Sequence, residues 1–136
     1  MTPEIRSYFV SLCARADNNE AVVVPFVRVR DRDWEPKSTL CHPNADHWAG
    51  LKQGRRAVRG WIVDGSDGMG GHLFKAHSVV EEDGKLFDIT PSDRFPDDPP
   101  KPEPARLFLR HEGEKRAFDD MLPEYNCVPF NSVATK

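Results

Sequence analysis

Three observations in the 136 residues predict an α+β chain. A loop turns abruptly into a helix at Ser38-Thr39-Leu40-Cys41-His42-Pro43-Asn44-Ala45-Asp46-His47-Trp48, with a cysteine at the first helical position. Two strand-like runs, 73–82 and 85–90, meet at Asp83-Gly84, a strong two-residue hairpin signal. Thr2-Pro3-Glu4 opens an apolar stripe of Ile5, Phe9 and Leu12, which is a capped amphipathic helix.

The totals describe an ordinary globular chain: 38% hydrophobic, 30% charged, net charge −3. Its length predicts a single domain, 1–136, with a core over about 20–91, a Pro-rich connector 92–104 and a C-terminal strand, helix and tail over 105–136. Mild acidity gives no general pull toward nucleic acid. No run approaches the roughly 20 apolar residues of a membrane span, so no membrane association is expected. The first residues lack the build of a signal peptide. Three cysteines without framework spacing point to a reducing compartment, and the expectation is a cytoplasmic monomer.

Taken in order, the first helix ends near Asp17-Asn18-Asn19, and Cys13 on its apolar stripe reads as a buried, inert thiol. Residues 21–30 read as an edge or bent strand, because Pro25 interrupts a β-branched run. A charged loop with Trp34 leads to the Cys41 helix, and Trp34 lines a cleft or covers the core. That helix should stop at Gln53-Gly54, with 55–64 as the next strand. Lys52, Arg55, Arg56 and Arg59 read more cheaply as a solvated helix end and strand edge than as a nucleic-acid patch. Asp64 to Gly71 is a glycine-rich connection without the lysine and following helix of a phosphate-binding loop. The segment 92–104 is a stiff spacer or a ligand for a proline-reading partner. A strand over 105–110 and a helix over 112–122 follow, and the remainder, with Cys127, is expected to drape or fray.

The chemistry gathers on Cys41, His77 and Asp88. A thiolate is favoured at a helix start, where unpaired N–H groups and the dipole attract an anion. The two-residue turn sets Glu82 opposite Lys85, Val79 opposite Asp88 and His77 opposite Thr90. His77 and Asp88 then become diagonal neighbours, close enough for an imidazole and a carboxylate to meet. A thiol nucleophile, a base and a group that orients the base form a complete catalytic set. The Cys41 N–H and the Asn44 side chain are candidate oxyanion donors, although Asn44 reads equally well as a structural amide. Trp48 shares the helix face of Cys41 and, with Trp34, is a candidate substrate-binding residue.

The order of these residues resembles the papain-like and transglutaminase-like superfamily. Ala76-His77-Ser78-Val79-Val80 followed by Leu86-Phe87-Asp88-Ile89-Thr90-Pro91 is similar to that superfamily's histidine strand and aspartate-threonine-proline ending. Cys41-x-x-Asn44 with Trp48 partly resembles the cysteine helix of N-terminal glutamine amidases, from which it departs in tryptophan spacing and chain length. The resemblance covers about 40–91. It implies a papain-like core with the Cys41 helix packed on an antiparallel sheet carrying His77 and Asp88. It also implies cleavage or exchange of an amide bond in a protein or peptide substrate, with no metal and no cofactor.

Two rivals belong to other classes. Cys41, His42, His47, His72 and His77 are candidate zinc ligands, but His42 and His47 stand five apart and share a helix face poorly. A non-enzymatic binding module would instead use the basic 52–59 patch or the Pro-rich segment, and would carry an unreactive Cys41.

Overall fold

The computed structural model describes residues 1–66, 68–92 and 103–132. Its elements run α1 (Pro3–Asp17), β1 (Val22–Val24), α2 (Cys41–Gly50), β2 (Arg55–Ser66), β3 (Gly71–Glu82), β4 (Lys85–Phe87), β5 (Arg106–Arg110), α3 (Lys115–Tyr125) and β6 (Cys127–Asn131). The strands form one antiparallel sheet ordered β1-β5-β2-β3-β4, with β6 also pairing β3. The architecture is α+β. The proline-rich stretch 93–102 and Asp67 lie outside the described residues. Among the described residues, no helix is long and apolar enough to cross a membrane.

The chain divides into two compact units. The first comprises 1–23, 60–76 and 106–136. Its α1 starts as its sequence dictates, with Thr2 Oγ1 accepting the Ile5 N–H at 3.2 Å and Pro3 needing no partner in the first turn. The helix buries Phe9, Leu12 and Cys13 against Trp61, Phe74, Leu109, Phe118 and Phe130. Aromatic edges provide much of the fit, with Phe9 and Trp61 meeting edge-on at 5.3 Å. Gly60 is required where β2 meets β5, because a Cβ there would run into the Leu109 carbonyl and the Phe108 ring. The expectation of a frayed tail after Cys127 is corrected. Val128 and Phe130 alternate inward from β6, which pairs with 71–75 of β3. Pro129 is tolerated because β6 pairs on one side only.

The second unit comprises 24–59 and 77–105. Here Ala45 of α2 packs with Val80 and Ile89, and Trp34, Trp48, Ala57 and Phe87 close over them. The cysteine-bearing helix therefore lies on the sheet. The β3–β4 hairpin has the expected register, with Glu82 opposite Lys85, Glu81 opposite Leu86 and Val80 opposite Phe87. Asp83 and Gly84 both adopt positive φ, at 54° and 75°, as a right-twisted two-residue turn requires.

Several element boundaries differ from the sequence reading, two of them for a shared reason. The run 21–30 keeps only three residues as a strand, and β4 stops at Phe87 rather than Thr90. One cause serves both. Asp88 donates its N–H to Pro25 O and accepts from Val27 N, each at 2.8 Å, so these segments bridge each other instead of extending separate ladders. Helix α2 ends at Gly50, short of Gly54, where Leu51 N and the Arg55 guanidinium both take the Trp48 carbonyl.

Candidate active site

Cys41 is the first residue of α2, and its side chain is partly exposed. The helical ladder begins with Asn44 N–H to Leu40 O at 2.9 Å, so the Cys41 N–H precedes the ladder and Pro43 has none to offer. The approach is held by Asn44, whose Oδ1 accepts the Lys37 N–H at 3.2 Å while Nδ2 donates to Lys37 O at 2.8 Å and to Thr90 Oγ1 at 3.0 Å. Both amide hydrogens are committed. Asn44 is thereby a brace between the entry loop, α2 and the segment after Asp88, and its amide is not free to meet an oxyanion. Within this braced loop Thr39 takes φ 68°, a left-handed conformation that a β-branched residue adopts only under constraint.

His77, in β3, and Asp88, just past β4, are both buried. His77 Nε2 lies 3.0 Å from Asp88 Oδ1, and both hydrogen bonding and charge from that carboxylate favour the protonated ring. The same carboxylate oxygen accepts the Thr90 N–H at 3.0 Å, which fixes its orientation. With Nε2 on the carboxylate, the other ring nitrogen is left for the thiol, to which His77 is hydrogen-bonded.

Electrostatics turn this cluster into a charged pair. Burial pushes the Cys41 thiol up, but hydrogen bonds from His42 and His77, and the charge these rings carry when protonated, bring it down to about 6. Burial pushes His77 down, but Asp88 and the thiolate raise it to about 9. Between those values the sulfur is a thiolate and His77 an imidazolium, the form in which a cysteine nucleophile is active.

The predicted residues thus fall into two groups. Cys41, His77 and Asp88 come together. Trp34 and Trp48 come together with one another, at 6.2 Å between rings, in a stack that includes His47 4.1 Å from Trp34 and the Arg55 guanidinium 4.2 Å over Trp48. Two of the zinc candidates lie away from Cys41: His47 rests on Trp34, and His72 meets Asp17 at 2.7 Å. Among the described residues no three ligating side chains are gathered for a metal.

The basic stretch is matched by carboxylates. Lys52 and Arg55 pair with Glu82 at 3.1 and 3.2 Å, and Arg56 pairs with Glu81 at 3.0 Å. Arg59 is only 6% exposed, which corrects its reading as a solvated edge residue. It forks onto the Asp46 carboxylate at 3.0 and 2.8 Å and donates to Ser78 Oγ at 3.0 Å. Ser78 in turn meets His42 Nδ1 at 2.6 Å. This chain of Asp46, Arg59, Ser78 and His42 ends on the thiol and was missed in the sequence. Its one local signal was a histidine directly after the cysteine.

An open cavity of about 410 Å³, lined by Ser66, His72, Leu73, Phe130 and Asn131 among others, belongs to the first unit, whereas Cys41, His77 and Asp88 belong to the second. A scan of family models and searches of curated proteins and of solved structures each gave no match to this chain.

Proposed function

We propose that the chain is a cysteine-dependent hydrolase or acyltransferase acting on an amide bond, of the papain-like and transglutaminase-like kind. One observation carries this reading. Cys41, at the start of α2, has a depressed pKa and bonds to an imidazole that is itself held against a buried carboxylate. Three groups of the right chemistry in contact are far rarer than any one of them alone.

In the reaction, the Cys41 sulfur attacks the amide carbon. The C–S bond forms as the carbonyl electrons move onto oxygen, and the Cys41 N–H stabilises that oxyanion. Collapse breaks the C–N bond, and the His77 imidazolium gives its proton to the departing nitrogen. Neutral His77 then takes a proton from water or an acceptor amine as that nucleophile attacks the thioester. The C–S bond breaks, and the thiolate and imidazolium are restored. Asp88 holds the ring in place and stabilises its charged form throughout. No metal or cofactor is needed for these steps.

The test is the rate of iodoacetamide labelling at each cysteine against pH, followed by peptide mass spectrometry on folded protein. Cys41 is expected to label with a midpoint near pH 6. Cys13, buried and pushed up by that burial, is expected to lag at every pH. An amide substrate found by screening should show a kcat/KM profile with limbs near 6 and 9, and C41A should abolish turnover. A Cys41 profile midpoint near 8.5, that of a free thiol, would remove the basis of the proposal.

A further inference from the structure

Ser78 is fully buried, and its hydroxyl oxygen has two recorded partners, Arg59 and His42. A guanidinium has no lone pair to offer, so it donates and Ser78 Oγ accepts. The acceptor left for the serine's own proton is His42 Nδ1, 2.6 Å away, and a buried hydroxyl proton without an acceptor would be costly. Nδ1 therefore accepts and Nε2 carries the ring proton. Arg59 is fixed from behind by its two bonds to Asp46. The relay orients His42 with its N–H available to Cys41, with whose side chain it is hydrogen-bonded.

We propose that His42 is a second imidazole working on Cys41, held as a donor by Ser78 and Arg59, and that it keeps a hydrogen bond on the sulfur when His77 has given up its proton. The proposal rests on Cys41 being the nucleophile. It meets a need of that chemistry. While the thioester stands, His77 is neutral and turns to the attacking nucleophile, whose proton it must take before the thioester expels a thiolate. A donor that does not take part in the proton transfers stabilises that leaving sulfur in every cycle. The charged and titratable groups described around it include His77 with Asp88 behind it, and Arg59 with Asp46 behind it. Ser78 and Arg59 are positioning residues, since they act on the thiol only through the His42 ring.

The experiment reads the sulfur without a substrate. Cys41 labelling by iodoacetamide is followed against pH in the full chain for the native protein, H42A, H42Q, S78A and H77A, with circular dichroism confirming the fold of each. H42A should move the Cys41 midpoint upward by about one pH unit, which is roughly tenfold slower labelling on the acidic side. H42Q, which returns an N–H near the Nε2 position, should recover part of that loss. S78A should shift the midpoint in the same direction by less. A folded H42A with the native profile, while H77A shifts it, would overturn the role of His42 and leave the nucleophile in place. H42Q labelling no better than H42A would overturn the donor role as well. A native midpoint near that of a free thiol would overturn the nucleophile itself, and the His42 proposal with it.

Discussion

At the scale of single residues, the site depends on side chains fully used by their neighbours. Asn44 spends its oxygen and both amide hydrogens on holding the 37–44 loop and Thr90. The strain it enforces is visible two residues before the thiol, where exposed Thr39 sits at φ 68°. Left-handed backbone costs a side-chain-bearing residue about 1–2 kcal/mol, and glycine is free of that cost. Thr39→Gly is therefore expected to raise stability by about 1 kcal/mol, allowing for glycine's greater freedom when unfolded, read as a higher urea midpoint at unchanged slope. A lower midpoint would show that Thr39 is not strained. Cys41, His77 and Asp88 were legible in the sequence because hairpin arithmetic brings the last two together and helix-start chemistry marks the first. Ser78 was not legible. Strict alternation sends it to the face opposite His77, yet both reach neighbouring residues at the start of α2. Arg59 was hidden for a related reason: its partner Asp46 lies on another element, and no spacing rule connects them.

At the scale of elements, the β3–β4 hairpin fixes the geometry of the candidate site, because its register decides which side chains approach His77. The turn was readable from Asp83-Gly84 alone. The end of β4 was not, since it depends on Asp88 turning its backbone to Pro25 and Val27, contacts between segments more than sixty residues apart in sequence. The C-terminal strand β6 was also missed, because a five-residue run containing a proline looks like coil until its partner strand is known. Gly84 holds φ 75° with open space around its Cα, so Gly84→Ala adds no clash and tests the backbone alone. It is expected to cost about 1 kcal/mol and lower Tm by a few degrees, while the Cys41 labelling profile stays unchanged. An unchanged Tm would mean that the turn does not need its glycine.

At the scale of the whole molecule, pH acts through groups in both units. In the first unit, the Trp61 N–H donates to Tyr8 Oη at 2.7 Å, Tyr8 donates to His111 Nδ1 at 2.7 Å, and the His111 Nε2–H meets Glu114 O at 3.0 Å. Burial pushes Tyr8 up to about 12, so its hydroxyl remains a donor, and burial pushes His111 down. A histidine whose folded pKa is depressed stabilises the fold above its unfolded value near 6.5, and that contribution fades as pH falls toward the folded value. Tyr8→Phe leaves the Trp61 N–H and His111 Nδ1 without their shared partner and is expected to cost about 1–3 kcal/mol at pH 7. Denaturation at pH 7 and pH 5 should show a smaller difference between native protein and variant at the lower pH, where the native chain's own acceptor is being protonated. An equal difference at both would mean that His111 does not couple to Tyr8.

The pairing of Cys41 with His77 has a consequence for the charge of the protein. Counting thiols and histidines as neutral gives a net charge of −3, and the ion pair leaves that figure unchanged, because the proton missing from sulfur is the one gained by nitrogen. Between about pH 6.5 and 8.5 the unfolded chain holds the same single proton on the thiol, so this pair makes folding neither easier nor harder as pH moves through the neutral range. Within that range the site is thus silent to electrophoresis and to proton uptake on unfolding. The ion pair changes where one proton resides, at no change in the number the molecule carries.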